Sequence, residues 1–487
     1  MHLTQEVELS SSTNLRQDVA DEPLLRVRNL RISFITRAGR IQAINDVSFE
    51  VRAREVFGLV GETGCGKSQT ALAVMRLTPE AGVIERGEIW FVGNNLAKNI
   101  SNEFKLINKK NGQVKLKRNK SQLKRLNAEV SEIRGKQISM VFQEPMTSLN
   151  PVYTAGRQIS EALIRHSIVS LIDRMLARNR ATEEKLKEIA DLTARSRLSE
   201  EELHGLLKRL GLEGLQDELW FILSKKDMPL AEKKALILQL GRSKPKAVTL
   251  RFLVRLKKSG GRIPFNYRIL NGMPVVRKLF VGVIEKEALN ASLELLSLVN
   301  MPNAGNVLHQ YPHELSGGMR QRVMIAMAIA TKPKLIIVDE PTSALDVTVQ
   351  AQILELLRYL KDTFNAAILF ISHDLGVISE ICDRLAVMYA GNIVEVASLT
   401  ELFENPKHPY TRGLLAAVPK YGEKRETLQT IDGTVPNLID PPKGCRFRTR
   451  CPQVFDRCSQ GPPWIQVGKE HCVLCWLYGD SDKHVEQ

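Results

Sequence analysis

Apolar and polar residues begin to alternate at Leu24. LLRVRNLRISF and AINDVSFEV, within residues 24–51, place apolar side chains at alternate positions, which predicts short antiparallel strands with one solvated face. Val56-Phe57-Gly58-Leu59-Val60 is continuously apolar instead, a compact buried strand, followed by a glycine-rich turn and a helix from about Lys67. Further strand pattern surrounds Gly87-Glu88-Ile89-Trp90-Phe91. From about Lys334 the pattern becomes strand, helix, strand: Leu335-Ile336-Ile337-Val338 and Ala367-Ile368-Leu369-Phe370-Ile371 flank the helical stretch Val347–Phe364. Strands alternating with helices predict an α/β fold with a parallel sheet covered on both faces.

Two stretches break this pattern. Residues 101–130 hold nine basic side chains (Lys105, Lys109, Lys110, Lys115, Lys117, Arg118, Lys120, Lys124, Arg125) against Glu103 and Glu129, which predicts a surface insertion, partly helical. Residues from about 167 to 283 form a larger, mostly helical insertion without a catalytic motif. In it Ser199-x-x-Glu202 is a capping box with Leu198 and Leu203 as its hydrophobic staple. Leu203, Leu206, Leu207 and Leu210 make one apolar helix face, and Gly211 supplies the stop. The expected organisation is a tail over 1–22, a main domain over 23–420 and a C-terminal extension over 421–487.

Length and charge sharpen the picture. At roughly 150 residues per domain, 487 residues allow about three domains, and 43% hydrophobic content rules out a wholly disordered chain. No apolar run approaches the roughly 18 residues of a membrane span, and MHLTQEVELSSSTNL lacks the apolar stretch of a secretory signal. The expectation is a protein neither spanning a membrane nor exported by that route. A net charge of +15 suits an anionic neighbour such as acidic lipid, phosphate or nucleic acid, or simply solvated basic faces.

The sharpest chemistry lies in Gly61-Glu62-Thr63-Gly64-Cys65-Gly66-Lys67-Ser68, which fits G-x-x-x-x-G-K-[ST] between a strand and a helix. Glycines let the backbone curl its N–H groups around phosphate oxygens, and the helix N-terminus adds positive potential. Lys67 would reach the β- and γ-phosphates and Ser68 would ligate Mg²⁺, with Gln69 following in the same turn; Cys65 reads as a small tolerated residue. Asp339 and Glu340 end an apolar strand: the first is suited to hold Mg²⁺, the second to orient and deprotonate an attacking water.

With Leu315-Ser316-Gly317-Gly318-Met319-Arg320-Gln321-Arg322 the chain resembles the ATP-binding-cassette ATPases, whose signature motif this is. Gln143 in Val141-Phe142-Gln143-Glu144-Pro145 resembles their glutamine loop, Ser343-Ala344-Leu345-Asp346 their D-loop, and His373 in Ile371-Ser372-His373-Asp374 their switch histidine. The resemblance implies a P-loop NTPase with a RecA-like core, an antiparallel β subdomain and a helical subdomain, the last carrying the large insertion. It implies two domains paired head to tail, each ATP held between one phosphate loop and the partner's Ser316-Gly317-Gly318. Glu340 would then be the general base, His373 would contact the γ-phosphate, and Gln143 would link Mg²⁺ to a transmembrane partner. Phe34 is the candidate to stack on adenine.

Longer strings narrow the branch. Phe142–Pro151, Tyr311-Pro312-His313-Glu314 and Asn405-Pro406-Lys407-His408-Pro409-Tyr410-Thr411 resemble oligopeptide/dipeptide importer ATPases, and LSGGMRQRVMIAMAIA resembles their D-type subunit. This implies ATP hydrolysis coupled to import at the cytoplasmic face of the plasma membrane. The implied partners are a second ATPase subunit (an F-type paralogue or a second copy), two permeases and an extracytoplasmic solute-binding protein, with no nucleic acid. Similar cassettes serve importers of nickel chelates or sugars, and a soluble ABC ATPase acting on nucleic acid is the more distant alternative.

Five of the seven cysteines crowd into Cys445–Cys475. Cys445, Cys451, Cys458 and Cys472 on irregular loops suit a metal or an iron–sulfur cluster, with Cys475 able to replace Cys472. The family resemblance favours [4Fe–4S]; structural zinc and free thiols are the alternatives.

Overall fold

Continuous apolar runs and alternating ones sort into different sheets. The computed structural model describes residues 22–98, 100–108, 114–181, 183–195, 199–225, 228–240, 247–260, 274–343, 345–417 and 431–479. The tail over 1–21, Leu198 and Ala344 lie outside the described residues. The chain divides into two compact units, one made of Met1–Ser148 with Lys332–Gln487 and the other of Leu149–Thr331.

In the first unit the alternating segments β1 (Leu25–Ile35) and β2 (Arg40–Val51) pair antiparallel, and β4 (Gly82–Phe91) pairs with β1 on its other side, with β5 (Asn94–Asn95) beyond it. The continuously apolar segments build a second sheet. There β8 (Ile138–Val141), β9 (Leu335–Asp339), β10 (Ala367–Ser372), β3 (Val56–Val60) and β11 (Arg384–Tyr389) run parallel, in that spatial order. Every residue of β3, β9 and β10 is buried, as a sheet covered on both faces requires. One hydrophobic cluster joins the two sheets, from Leu25, Ile32 and Ile44 to Leu59, Ile337 and Leu369. The α/β class expected from the sequence is the one observed.

The C-terminal segment continues the large sheet. After β12 (Asn392–Ser398), antiparallel to β11, come β13 (Trp464–Gln466) and β14 (Cys472–Leu474), with β14 seated on β12. The basic insertion is a hairpin of β6 (Phe104–Asn108) and β7 (Val114–Arg118) followed by a helix over Lys120–Ser131. Arg118 anchors it by donating to the carbonyls of Glu80 (2.7 Å) and Gly82 (2.6 Å).

The second unit is helical. A helix over Ala155–Arg180 carries one non-helical residue, Ser167, where the large insertion begins. Helices over Glu183–Arg195, Glu200–Leu210, Gln216–Ser224, Leu230–Gln239, Ala247–Lys258 and Pro274–Leu298 follow. The Ser199 box forms as expected: the Glu202 N–H donates to Ser199 Oγ (3.2 Å) and the Ser199 N–H to Glu202 Oε2 (2.7 Å). Leu203, Leu206 and Leu207 are buried in a cluster of the insertion's own, and Gly211 ends the helix at φ 67°. Among the described residues no helix is long and apolar enough to cross a membrane.

Beside that cluster the insertion buries charge. Arg178 donates to Glu287 Oε2 (2.5 Å) and Glu218 Oε1 (2.7 Å), while Arg174 donates to both oxygens of Glu294 (2.8 and 2.9 Å) and also meets Glu218. Removing one member strands its partners in a poorly solvated site. Arg178→Ala is therefore expected to lower the unfolding free energy of the helical unit by about 3–5 kcal/mol, read by urea denaturation. A loss within the range of an exposed surface pair would show that this network is solvated.

Candidate functional site

Four neighbouring parallel strands end on one edge, and each hands the chain to a residue singled out in the sequence. After β3 comes the Gly61–Ser68 turn; β9 ends in Asp339 with Glu340 next; β10 is followed by His373; Gln143 lies two residues past β8. Ligand sites of open α/β sheets sit at this edge.

Crowding forces the turn's glycines. Gly61 sits at φ 155°, and a Cβ there would lie 2.1 Å from the Met388 carbonyl oxygen. Gly66 sits at φ 108°, where a Cβ would stand 2.5 Å from Ile44 Cδ1. Thr63 and Gly64 at the tip are exposed, whereas Cys65 is buried and its thiol pKa raised by that burial, so it is no nucleophile. The Lys67 ammonium donates to the carbonyls of Gly61 (2.6 Å) and Glu62 (3.2 Å), bridging the turn from inside. Gln69 Oε1 is buried without a hydrogen-bond partner.

Ser68 Oγ donates to Asp339 Oδ1 at 3.1 Å. Burial pushes the Asp339 acid up to about 6, against the pull of that hydrogen bond. A hydroxyl and a buried carboxylate, both hard oxygen donors, make a pair suited to Mg²⁺. Glu340 is held on both oxygens: Gln143 Nε2 donates to Oε2 (2.6 Å), and His373 Nδ1 lies 3.1 Å from Oε1. Its backbone is in the left-handed region, at φ 44°, fixed by a 2.9 Å hydrogen bond from its N–H to the Ile371 carbonyl. Strain of this kind in a non-glycine residue clusters at functional positions.

The remaining candidates take these places. Asp346 caps the helix over Val347–Phe364, accepting from the Val349 N–H at 2.9 Å. Phe34 is half-buried on β1, opposite Ile41 and Gly82, packed against the shared hydrophobic cluster. In the helical unit Ser316 caps the helix over Gly317–Ile329, accepting from the Met319 N–H at 3.3 Å, and Ser316 and Gly317 are exposed. Arg320 donates to the Pro312 carbonyl at 2.6 Å, fastening the Tyr311–Glu314 turn beneath this helix start.

Among the C-terminal cysteines, Cys445, Cys451, Cys458 and Cys475 line one small cavity with Phe447 and His408. Cys472 does not line it; of the two fourth positions considered from the sequence, Cys475 is the one at the cavity. Cys472 belongs to β14, and Cys475 follows the end of that strand, where the chain turns into Trp476–Tyr478. Burial pushes the Cys445 thiol up to about 11 and the Cys475 thiol up to about 12, the latter helped by the other three sulfurs. Among the described residues no three His, Cys, Asp or Glu side chains are placed to share a single metal ion.

Two residues that the sequence reading passed over touch the phosphate turn. Tyr410 accepts at its hydroxyl from the Glu62 N–H (3.0 Å), and Arg450 donates to both Glu62 carboxylate oxygens (3.0 and 3.3 Å). Tyr410 lies in the Asn405–Thr411 string quoted above, but no local pattern marks either contact, since both span more than 300 positions of chain.

Comparisons with known proteins agree with this geometry. The ABC transporter family model matches residues 44–225 and 248–343, and the model for the oligopeptide/dipeptide transporter C-terminal region matches 394–458. The dipeptide transport ATP-binding protein DppD of Bacillus subtilis is 32% identical, the match covering 95% of this chain and 97% of that protein. The oligopeptide transport ATP-binding protein OppD of Escherichia coli is 35% identical, covering 93% of each. The chain belongs to the ABC transporter family of ATP-binding proteins, on its oligopeptide/dipeptide branch.

Proposed function

We propose that this chain is the ATP-hydrolysing, energy-coupling subunit of an ABC importer for oligopeptides or dipeptides. It would work in a head-to-tail pair with a second ATPase subunit beneath two permeases, at the cytoplasmic face of the membrane. The observation that carries the ATPase reading is the meeting of Ser68 with Asp339, and of Gln143 and His373 with Glu340, at one sheet edge. The peptide assignment rests on the relatives named above.

Ser68, Asp339 and Gln143 would hold Mg²⁺, which when bound neutralises phosphate charge. Lys67 leaves the Gly61 and Glu62 carbonyls for the nucleotide's phosphates, and the turn's N–H groups cradle them. Glu340 accepts the proton of the attacking water, and His373 turns from Glu340 to the γ-phosphate. Phe34 would stack on adenine. Ser316, Gly317 and Gly318 would close on the nucleotide of the partner subunit, with Asp346 at that junction.

Glu340→Gln keeps the shape and removes the base. Its expected effect is a fall in turnover of about 10²–10⁴-fold with nucleotide binding retained, measured on the chain assembled with its partner subunits. Turnover near the wild-type rate would remove Glu340 from this role, and peptide uptake that survives deletion of the chain would remove the importer assignment.

For the cysteine cavity we propose a [4Fe–4S] cluster held by Cys445, Cys451, Cys458 and Cys475. Four thiols around one cavity suit a cluster in which each sulfur meets its own iron. After anaerobic purification, Cys475→Ser should lose bound iron and visible absorption while Cys472→Ser keeps both. A colourless, iron-free wild-type protein would exclude the cluster.

A further inference from the structure

Glu62 is gripped from three sides. Its N–H donates to the Tyr410 hydroxyl, its carbonyl accepts from Lys67, and its carboxylate takes the two parallel hydrogen bonds of the Arg450 guanidinium. Arg450 is almost fully buried, and every other contact it makes fixes its aim. It donates to the carbonyls of Asp432 (2.8 Å) and Ile431 (3.1 Å), reaches the Tyr389 hydroxyl (3.3 Å), and lies over the Tyr389 ring.

Chain neighbours of Arg450 and Tyr410 line the cysteine cavity. Arg450 precedes Cys451, and His408 and Pro409, which line the cavity, precede Tyr410. Tyr389, Tyr410 and Phe447 pack as one aromatic group, with ring centres 4.6 to 5.4 Å apart, and Phe447 is itself part of the cavity wall. Cavity and phosphate turn are thus joined by an ion pair on one side and by tilted and edge-on aromatic rings ending in a hydroxyl on the other.

Charge gives this contact a consequence for binding. A carboxylate within the turn that receives a polyphosphate repels it unless neutralised, and a fixed bidentate arginine neutralises it without occupying the open side of the turn. We propose that Arg450 and Tyr410 are positioning residues for the phosphate turn. Through Glu62 they set its affinity for nucleotide, so that the C-terminal cysteine segment is a determinant of nucleotide binding. The inference rests on the reading of Gly61–Ser68 as the nucleotide site.

The test is equilibrium binding of a fluorescent ATP analogue with Mg²⁺ to the full chain, beside steady-state hydrolysis in the assembled complex. Arg450→Ala should weaken binding on the order of tenfold and raise KM with kcat little changed, and Arg450→Lys should recover part of the loss. In a Glu62→Gln background, removal of Arg450 should cost no further affinity, because no carboxylate remains to be neutralised. Tyr410→Phe, which removes one oxygen from an otherwise unchanged ring, should weaken binding by a smaller factor and decides the matter if Arg450→Ala does not fold. Wild-type affinity in folded Arg450→Ala or in Tyr410→Phe, a loss confined to kcat, or equal losses from Arg450→Ala with and without Glu62→Gln would each overturn the proposal. A wild-type chain that binds no nucleotide would instead overturn the reading of the site itself.

Discussion

Parallel pairing of β8, β9, β10 and β3 is the constraint on which the site depends. In a parallel sheet all strand ends of one kind share an edge, so residues far apart in sequence become neighbours once the register is set. Ile371 opposite Asp339 and Ser372 opposite Val60 fix that register. A shift of one residue would turn each strand's side chains to the opposite face and separate Ser68 from Asp339. Because β3, β9 and β10 are buried throughout and polar only at the terminal Asp339 and Ser372, burial holds the sheet while the polar chemistry collects at the strand ends.

The edge also concentrates negative charge before any phosphate arrives. Asp339 is buried and Glu340 follows it, while Glu62 lies in the phosphate turn. Each has a specific partner: the Ser68 hydroxyl for Asp339, Gln143 and His373 for Glu340, and Arg450 for Glu62. Lys67, by contrast, is held by the Gly61 and Glu62 carbonyls and the Cys65 sulfur, neutral contacts it can exchange for phosphate oxygens without stranding a charge. The strained backbone at Glu340 belongs to the same arrangement, since a relaxed strand end would carry the side chain elsewhere.

What the sequence disclosed follows from how local each signal is. The Gly61–Ser68 turn, the Ser199 capping box and the buried strand Leu335–Val338 are written in consecutive residues, and the structure has them where the pattern puts them. The basic insertion shows how one signal hides another. Val114-Lys115-Leu116-Lys117-Arg118 alternates as a strand should, but its density of basic residues reads equally as a solvated surface segment, and the β6–β7 pairing is the part that spacing does not reveal. Spacing alone does not separate Cys472 from Cys475, whereas the fold puts the first in β14 and the second, past its end, at the cavity. The contacts of Arg450 and Tyr410 with Glu62 are not legible in the sequence, because only the folded sheet creates them.

The C-terminal segment is held by buried polar chemistry as well as by strand pairing. Glu395, fully buried on β12, would have its pKa raised by burial. Donation from His471 and the N–H groups of Lys407 and His408 outweighs that and holds it below its usual value. Glu395 therefore ties the strand to the turn that carries Tyr410 and, through His471 at 2.7 Å, to the start of β14. Burial pushes His408 down to about 4 and so keeps it neutral, which preserves the lone pair on Nδ1 that accepts from the Tyr410 N–H at 3.1 Å. Were His408 charged, that acceptor would be gone and the helix carrying Tyr410 would lose its cap. The position of the Tyr410 hydroxyl at Glu62 thus depends on a carboxylate that stays charged and a histidine that stays neutral. Hydrogen-bond donors impose the first condition against the effect of burial, and burial imposes the second.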